Sequence, residues 1–206
     1  MNQPIENTEN YVPKQRSKLA KVYVLLLDND DKIIKLLENV LRALGFETIF
    51  TARDGYEGVK ILREQSIDLV ITDWDLQPIR QYPEGVSKDK VISTEWGDFP
   101  PNNGASFVHS LRHSPTSPHP FVPVIMITGP TLSNNIRYAR DAGVNEILMK
   151  PVDARNLCRR IIEIVDNPRA FITSDNYKGP DRRRREAAWD KEERRKLEVK
   201  VIKYDG

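Results

Sequence analysis

Four short apolar runs along the chain each stop on a residue that can do chemistry. Val22 to Leu27 leads into Asp28, Asn29, Asp30 and Asp31, and Leu69 to Thr72 leads into Asp73, Trp74, Asp75 and Leu76. Val124 to Ile127 ends on Thr128 and Gly129, and Ile147 to Met149 ends on Lys150 and Pro151. Continuous apolar runs this short, rich in β-branched residues, predict strands buried on both faces of a parallel sheet. Between them the period becomes helical: Ile33 to Leu44, then Val59, Ile61 and Leu62, then Phe107, Val108 and Leu111, then Ile136, Tyr138, Ala139 and Ala142, and last Asp153 to Val165. Gly45 stops the first helix and Asp153 is placed to cap the last. Phe46 to Ala52 alternates weakly and reads as one more strand, followed by an Asp54-Gly55 turn. Five strands alternating with five helices predict an α/β fold, an open doubly wound parallel sheet with helices on both faces. Periodicity does not set the strand order.

Open sheets of this kind gather ligands at the carboxyl ends of their strands. Asp28, Asp73, Thr128 and Lys150 therefore converge on one edge. Carboxylates clustered away from histidine and cysteine suit a hard divalent cation held by oxygen, typically Mg²⁺. An aspartate can also be the nucleophile that accepts a phosphoryl group. Thr128 can then donate to a phosphoryl oxygen, with Gly129 leaving room, while Lys150 balances the charge. Each element alone is more often a helix cap or a turn. The ordered set of four is not so easily dismissed.

The remaining segments follow other rules. Residues 1–18 are polar with two prolines and predict a flexible arm, which leaves 19–167 for the folded domain and 168–206 for a C-terminal extension. From about 79 to 103 there is no period, but there are three prolines, with Trp96 and Phe99 among the aromatics. A segment of that length inside a domain is functional or disordered, and Trp96 and Phe99 beside the reactive edge fit a partner contact or lid as well as a plain surface excursion. His109, His113 and His119 match no metal-binding spacing and read as ordinary polar residues. The single cysteine, Cys158, excludes an internal disulfide, and its helical setting predicts packing rather than reactivity. With no apolar run near the ~20 residues of a membrane span and no apolar signal core, the expected location is the cytoplasm. The net charge of +2 excludes a nucleic-acid binder by bulk charge.

From about Lys21 to Val165 the chain resembles the receiver domain of bacterial response regulators, the CheY-like group with a flavodoxin-like fold. The resemblance rests on the acidic cluster at Asp28, Asp54-Gly55, Asp73-Trp74-Asp75-Leu76, Gly104 before a helix ending near Leu111-Arg112, Thr128-Gly129, Ala142-Gly143 and Lys150-Pro151. It implies strand order 2-1-3-4-5, with Asp73 as phosphoacceptor, Thr128 as switch hydroxyl and Lys150 as phosphate-contacting lysine. For Mg²⁺ it implies Asp28, Asn29, Asp73 and the backbone carbonyl of Asp75. A sensor histidine kinase or phosphotransfer protein would donate the phosphoryl group, and the output would be contact with a downstream protein, such as motility or surface machinery. Three positions depart from the family pattern. Asn29 stands where a second acid is usual, lowering metal affinity unless Asp30 or Asp31 compensates. Ile147 replaces the aromatic switch residue, and Gln77 precedes Pro78 where the proline is expected.

The extension carries Arg182, Arg183, Arg184 and Arg185 in a row, then Trp189, and basic residues outnumber acidic ones from Lys178 onward. Guanidinium groups bind phosphate bidentately and stack on bases. Tyr177 to Glu186 resembles the arginine-rich tails of CheY-like cyclic di-GMP effectors, which implies an anion site at Arg182 to Arg185; a solvated linker, nucleic acid or lipid would use the same charges. Pro180-Asp181 reads as a helix start, and Leu197 to Tyr204 as an edge strand. No room remains for a DNA-binding domain, so no sequence-specific DNA binding is expected. Asp75, two residues after Asp73, also fits the acid/base of a dehalogenase-type phosphatase, but no cap domain is visible and an enzyme is disfavoured. The expected function is a stand-alone phosphoacceptor in two-component signalling, with a cyclic di-GMP effector as the alternative.

Overall fold

The structure is a computed structural model that describes residues 18–76, 103–129, 133–174, 177–182 and 198–200. Its central sheet has five parallel strands: β1 (Tyr23–Leu27), β2 (Thr48–Ala52), β3 (Leu69–Asp73), β4 (Val124–Thr128) and β5 (Glu146–Met149). They lie in the order β2-β1-β3-β4-β5, as the family resemblance implies. The helices are α1 (Asp31–Leu44), α2 (Gly55–Glu64), α3 (Gly104–His113), α4 (Ser133–Asp141) and α5 (Ala154–Asp166). Among the described residues no helix is long and apolar enough to cross a membrane.

Strand side chains alternate between faces, so two cores form. Leu25, Leu27, Val70, Val124 and Met126 pack with Val59 and Leu62 of α2, Phe107, Val108 and Leu111 of α3, and Ala139 of α4. Val24, Leu26, Ile71, Ile125 and Ile127 pack with Leu37 and Leu41 of α1 and Leu157, Ile161 and Ile164 of α5. The caps follow the sequence reading. Gly45 ends α1 in the left-handed region, at φ 108°, its N–H donating to the Arg42 and Leu41 carbonyls. Asp153 accepts from Asn156 N at the start of α5.

After α5 the chain builds a second, antiparallel sheet: β6 (Phe171–Ser174), β7 (Tyr177–Pro180) and β8 (Glu198–Lys200), in the order β7-β6-β8. β8 falls within the expected edge strand. Pro180 is the last residue of β7, paired with Phe171, and the helix expected to run on from Pro180-Asp181 falls almost wholly outside the described residues.

The small sheet is tied to the core of the five-stranded sheet through Arg112. This side chain is fully buried and donates to the carbonyls of Pro120, Val122 and Gly143 at 2.7 to 3.3 Å. Its guanidinium lies 5.0 Å from the centroid of the buried Phe171 ring, which also meets Phe121 edge-on. Arg169 pairs with the buried Glu146 and donates to Asn145 O at 2.7 Å. These anchors lie at the start of β4 and β5, the sheet edge opposite Asp73. Carbonyls buried without a donor lose about 1–3 kcal/mol each. Arg112→Ala should therefore destabilise the protein by at least about 3 kcal/mol, measured as a lowered urea midpoint.

Candidate functional site

Parallel pairing fixes where the strands end. Leu27 sits opposite Thr72, Asp73 opposite Ile127, and Thr128 opposite Met149. Asp28, Asp73, Thr128 and Lys150 consequently stand along one edge, as the sequence predicts. Lys150 Nζ lies 3.0 Å from Asp28 Oδ2 and 3.1 Å from Asp73 Oδ1. The two carboxylates are almost fully buried, with side chains 3% and 8% exposed, whereas Lys150 is 28% exposed. The other oxygen of Asp28 accepts from Asp30 N at 2.9 Å.

The electrostatics follow from this crowding. Burial, then the neighbouring Asp28 charge, raise the proton affinity of Asp73 above the usual carboxylate range, and Lys150 only partly offsets them. For Lys150, burial works against the charge, but the hydrogen bonds and charges of Asp28 and Asp73 together raise its pKa. Thr128 Oγ1 is buried and has no hydrogen-bond partner among the described residues. A buried hydroxyl without a partner is uncommon in a folded protein and calls for an explanation. Beside it, a Cβ on Gly129 would meet no described atom within 4 Å.

The chain after Asp73 is held by a close backbone approach. Gly104 N donates to Trp74 O at 2.7 Å, and Asp75 bridges Asn103. A Cβ on Gly104 would sit 2.0 Å from the Asp73 carbonyl oxygen, so only glycine fits there. Asn103 caps α3 by accepting from Ser106 N at 2.8 Å. The span from 77 to 102, which holds Gln77, Pro78, Trp96 and Phe99, lies outside the described residues.

The compensation for Asn29 considered from sequence is not what the structure shows. Asp30 is the N-cap of α1 and accepts from Lys32 N at 2.8 Å. Asp31 forms a two-point ion pair with Arg53, at 2.7 and 3.0 Å. Both carboxylates are engaged away from Asp73. Among the described residues no group of three or more His, Cys, Asp or Glu could hold a metal. The acids this edge offers are two buried carboxylates, Asp28 and Asp73. That chemistry fits Mg²⁺ with one acid fewer, and a cation there would relieve the Asp28–Asp73 repulsion.

Other sequence candidates are placed elsewhere. Of the four consecutive arginines only Arg182 is described; Arg183, Arg184, Arg185 and Trp189 lie outside the described residues. Arg182 pairs with Asp141 at 2.8 Å and its guanidinium lies 4.0 Å from the Tyr177 ring centroid. His109 and His113 stack at 4.2 Å on α3. Burial pushes the Cys158 thiol up, away from thiolate chemistry. Sequence reasoning missed the roles of Arg112, Glu146 and Arg169. Glu146 alone carried a signal, an acid set against the apolar run Ile147 to Met149.

Residues 24–81 match the response regulator receiver domain. The chain is 27% identical over 143 residues to chemotaxis protein CheY-3 of Vibrio cholerae, covering 69% of this chain and 91% of that protein. It is 36% identical over 87 residues to a probable chemotaxis protein CheY of Rhizobium etli, covering 38% of this chain and 67% of that protein. The crystal structure of Vibrio cholerae CheY4 superposes with a TM-score of 0.52 at 20% identity, covering 69% of this chain and 98% of that one.

The raised proton affinity of Asp73 means that the folded state prefers the neutral carboxyl. Its contribution to stability is present at low pH and is lost as pH rises through the carboxylate's folded pKa. Without added metal, Asp73→Asn should therefore be more stable than the native protein at pH 7. The gain should shrink as pH falls toward the ordinary carboxylate range, as read from urea midpoints across pH.

Proposed function

The chain belongs to the response regulator receiver family, and on that premise we propose that it accepts a phosphoryl group on Asp73 and signals through protein contacts. The observation that carries this reading is the Lys150 ammonium between Asp28 and Asp73, on the same edge as the unpartnered Thr128 hydroxyl. A histidine kinase or phosphotransfer protein is the donor this chemistry fits. An ionised Asp73 oxygen attacks phosphorus, a P–O bond forms as the bond to the donor breaks, and an acyl phosphate results. Lys150 favours the ionised, nucleophilic carboxylate and neutralises the incoming charge. Thr128 has a hydroxyl proton to give to a phosphoryl oxygen, which would end its isolation in the core.

Mg²⁺, when bound, would neutralise phosphoryl charge. Asp28, Asp73, the Asn29 amide oxygen and the Asp75 carbonyl are the groups that would hold it. Two carboxylates instead of three make the affinity weaker than an all-acid set would give. The half-buried Ile147 cannot swing in and out as an aromatic ring does, so Thr128 would act on neighbouring backbone rather than through a ring.

Incubation with a small acyl phosphate and Mg²⁺, followed by intact mass, tests this reading. The native protein should gain one phosphoryl group and Asp73→Asn none. Lys150→Ala should slow incorporation by about tenfold or more, in line with the loss of an electrostatic partner at a reacting centre. No uptake by the native protein at high Mg²⁺ would overturn the proposal.

A further inference from the structure

A cleft of about 350 Å³ lies between the receiver and its extension, walled by Arg140, Arg160, Arg169 and Arg182. Glu146 is the one acid among its described lining residues, and that carboxylate is already engaged by Arg169 and Arg160. Like charges gathered around a small cavity repel one another, so an arrangement that keeps four guanidiniums there invites an anion. Arg182 has Asp141 as its partner. Arg140 lines the cleft and shows no side-chain partner among the described residues. Arg160 pairs with Glu146 and, at 3.1 Å, with Glu163, although its Nε is buried with no hydrogen-bond partner among the described residues. Three of the four guanidiniums thus have acid partners, and Arg140 carries the charge that no described acid meets.

The rest of the wall is not charged. Tyr177, Ile136 and Ile147 contribute ring and aliphatic surface. A bare inorganic ion would leave that surface unused, and the volume falls within the range of small-molecule sites. We propose that this cleft binds a small organic phosphate of nucleotide size, its phosphoryl oxygens on the arginines and its uncharged part against Tyr177 and the aliphatic wall. The site uses strands and helices on both sides of the 167/168 boundary, so ligand occupancy would fasten the extension to the receiver. It shares no residue with the Asp28, Asp73 and Lys150 cluster and does not rest on the phosphoacceptor reading. Of the consecutive arginines it draws on Arg182 alone.

Equilibrium dialysis of the full chain against GMP, ATP, cyclic di-GMP and inorganic pyrophosphate tests it. At least one of the three nucleotides should bind tenfold or more tightly than pyrophosphate, and which one separates a mononucleotide from a cyclic dinucleotide source. Arg140 is exposed, so Arg140→Glu should fold like the native chain, as circular dichroism would check, and should weaken that binding at least tenfold. Arg182→Ala, which removes a second cleft arginine, should weaken it too. Absence of binding by all three nucleotides overturns the proposal. So does pyrophosphate binding as tightly as the best of them, or less than a tenfold effect of Arg140→Glu.

Discussion

Asp28 and Asp73 end neighbouring parallel strands, and the Lys150 ammonium at 3.0 and 3.1 Å lets both carboxylates sit at that depth. The sheet leaves them little choice of position. Strand spacing of under 5 Å and a fixed register bring the two acids together whether or not their charges agree. Removing one partner from a buried charged group is strongly unfavourable. The fold accepts that vulnerability at one edge because β5, the outermost strand on that side, delivers a cation there. Everything else at the edge is arranged around this triplet. Gly104 lets α3 begin against the Asp73 carbonyl, and Thr128 keeps a hydroxyl in reserve.

The sheet and its reactive edge were legible in the sequence because buried parallel strands read as unbroken apolar runs, and the residue after each run is fixed by register. Asp28, Asp73, Thr128 and Lys150 could be found from that rule alone. Asp30 and Asp31 could not be sorted the same way. Two acids at the start of a helix are equally good as cap, ion-pair partner or metal ligand, and only the position of Arg53 and of the Lys32 N–H decides between these. The small sheet was hidden for a different reason. Its strands are four residues or fewer, with glycine, proline and lysine among them, and their pairing is non-local. Arg112 was invisible for the converse reason, since an arginine at a helix end usually faces water, whereas here it is covered by Phe171.

The two ends of β5 have different duties. Its carboxyl end leads to Lys150 and the acids, while its amino end holds Glu146 against Arg169 and Arg160. A strand of four residues spans only about 13 Å. One short element thus carries a charge-pairing task at each tip, and a shift along its axis would be felt at both.

The placement of Lys150 also has a temporal side. A nascent chain grows at about 5–20 residues per second, so Asp28 and Asp73 leave the ribosome seconds before the ammonium that pairs with them. Until β5 arrives, the growing sheet ends at β4 with two carboxylates that can stay charged only while water reaches them. Adding the last parallel strand therefore completes the sheet and the charge cluster in one step.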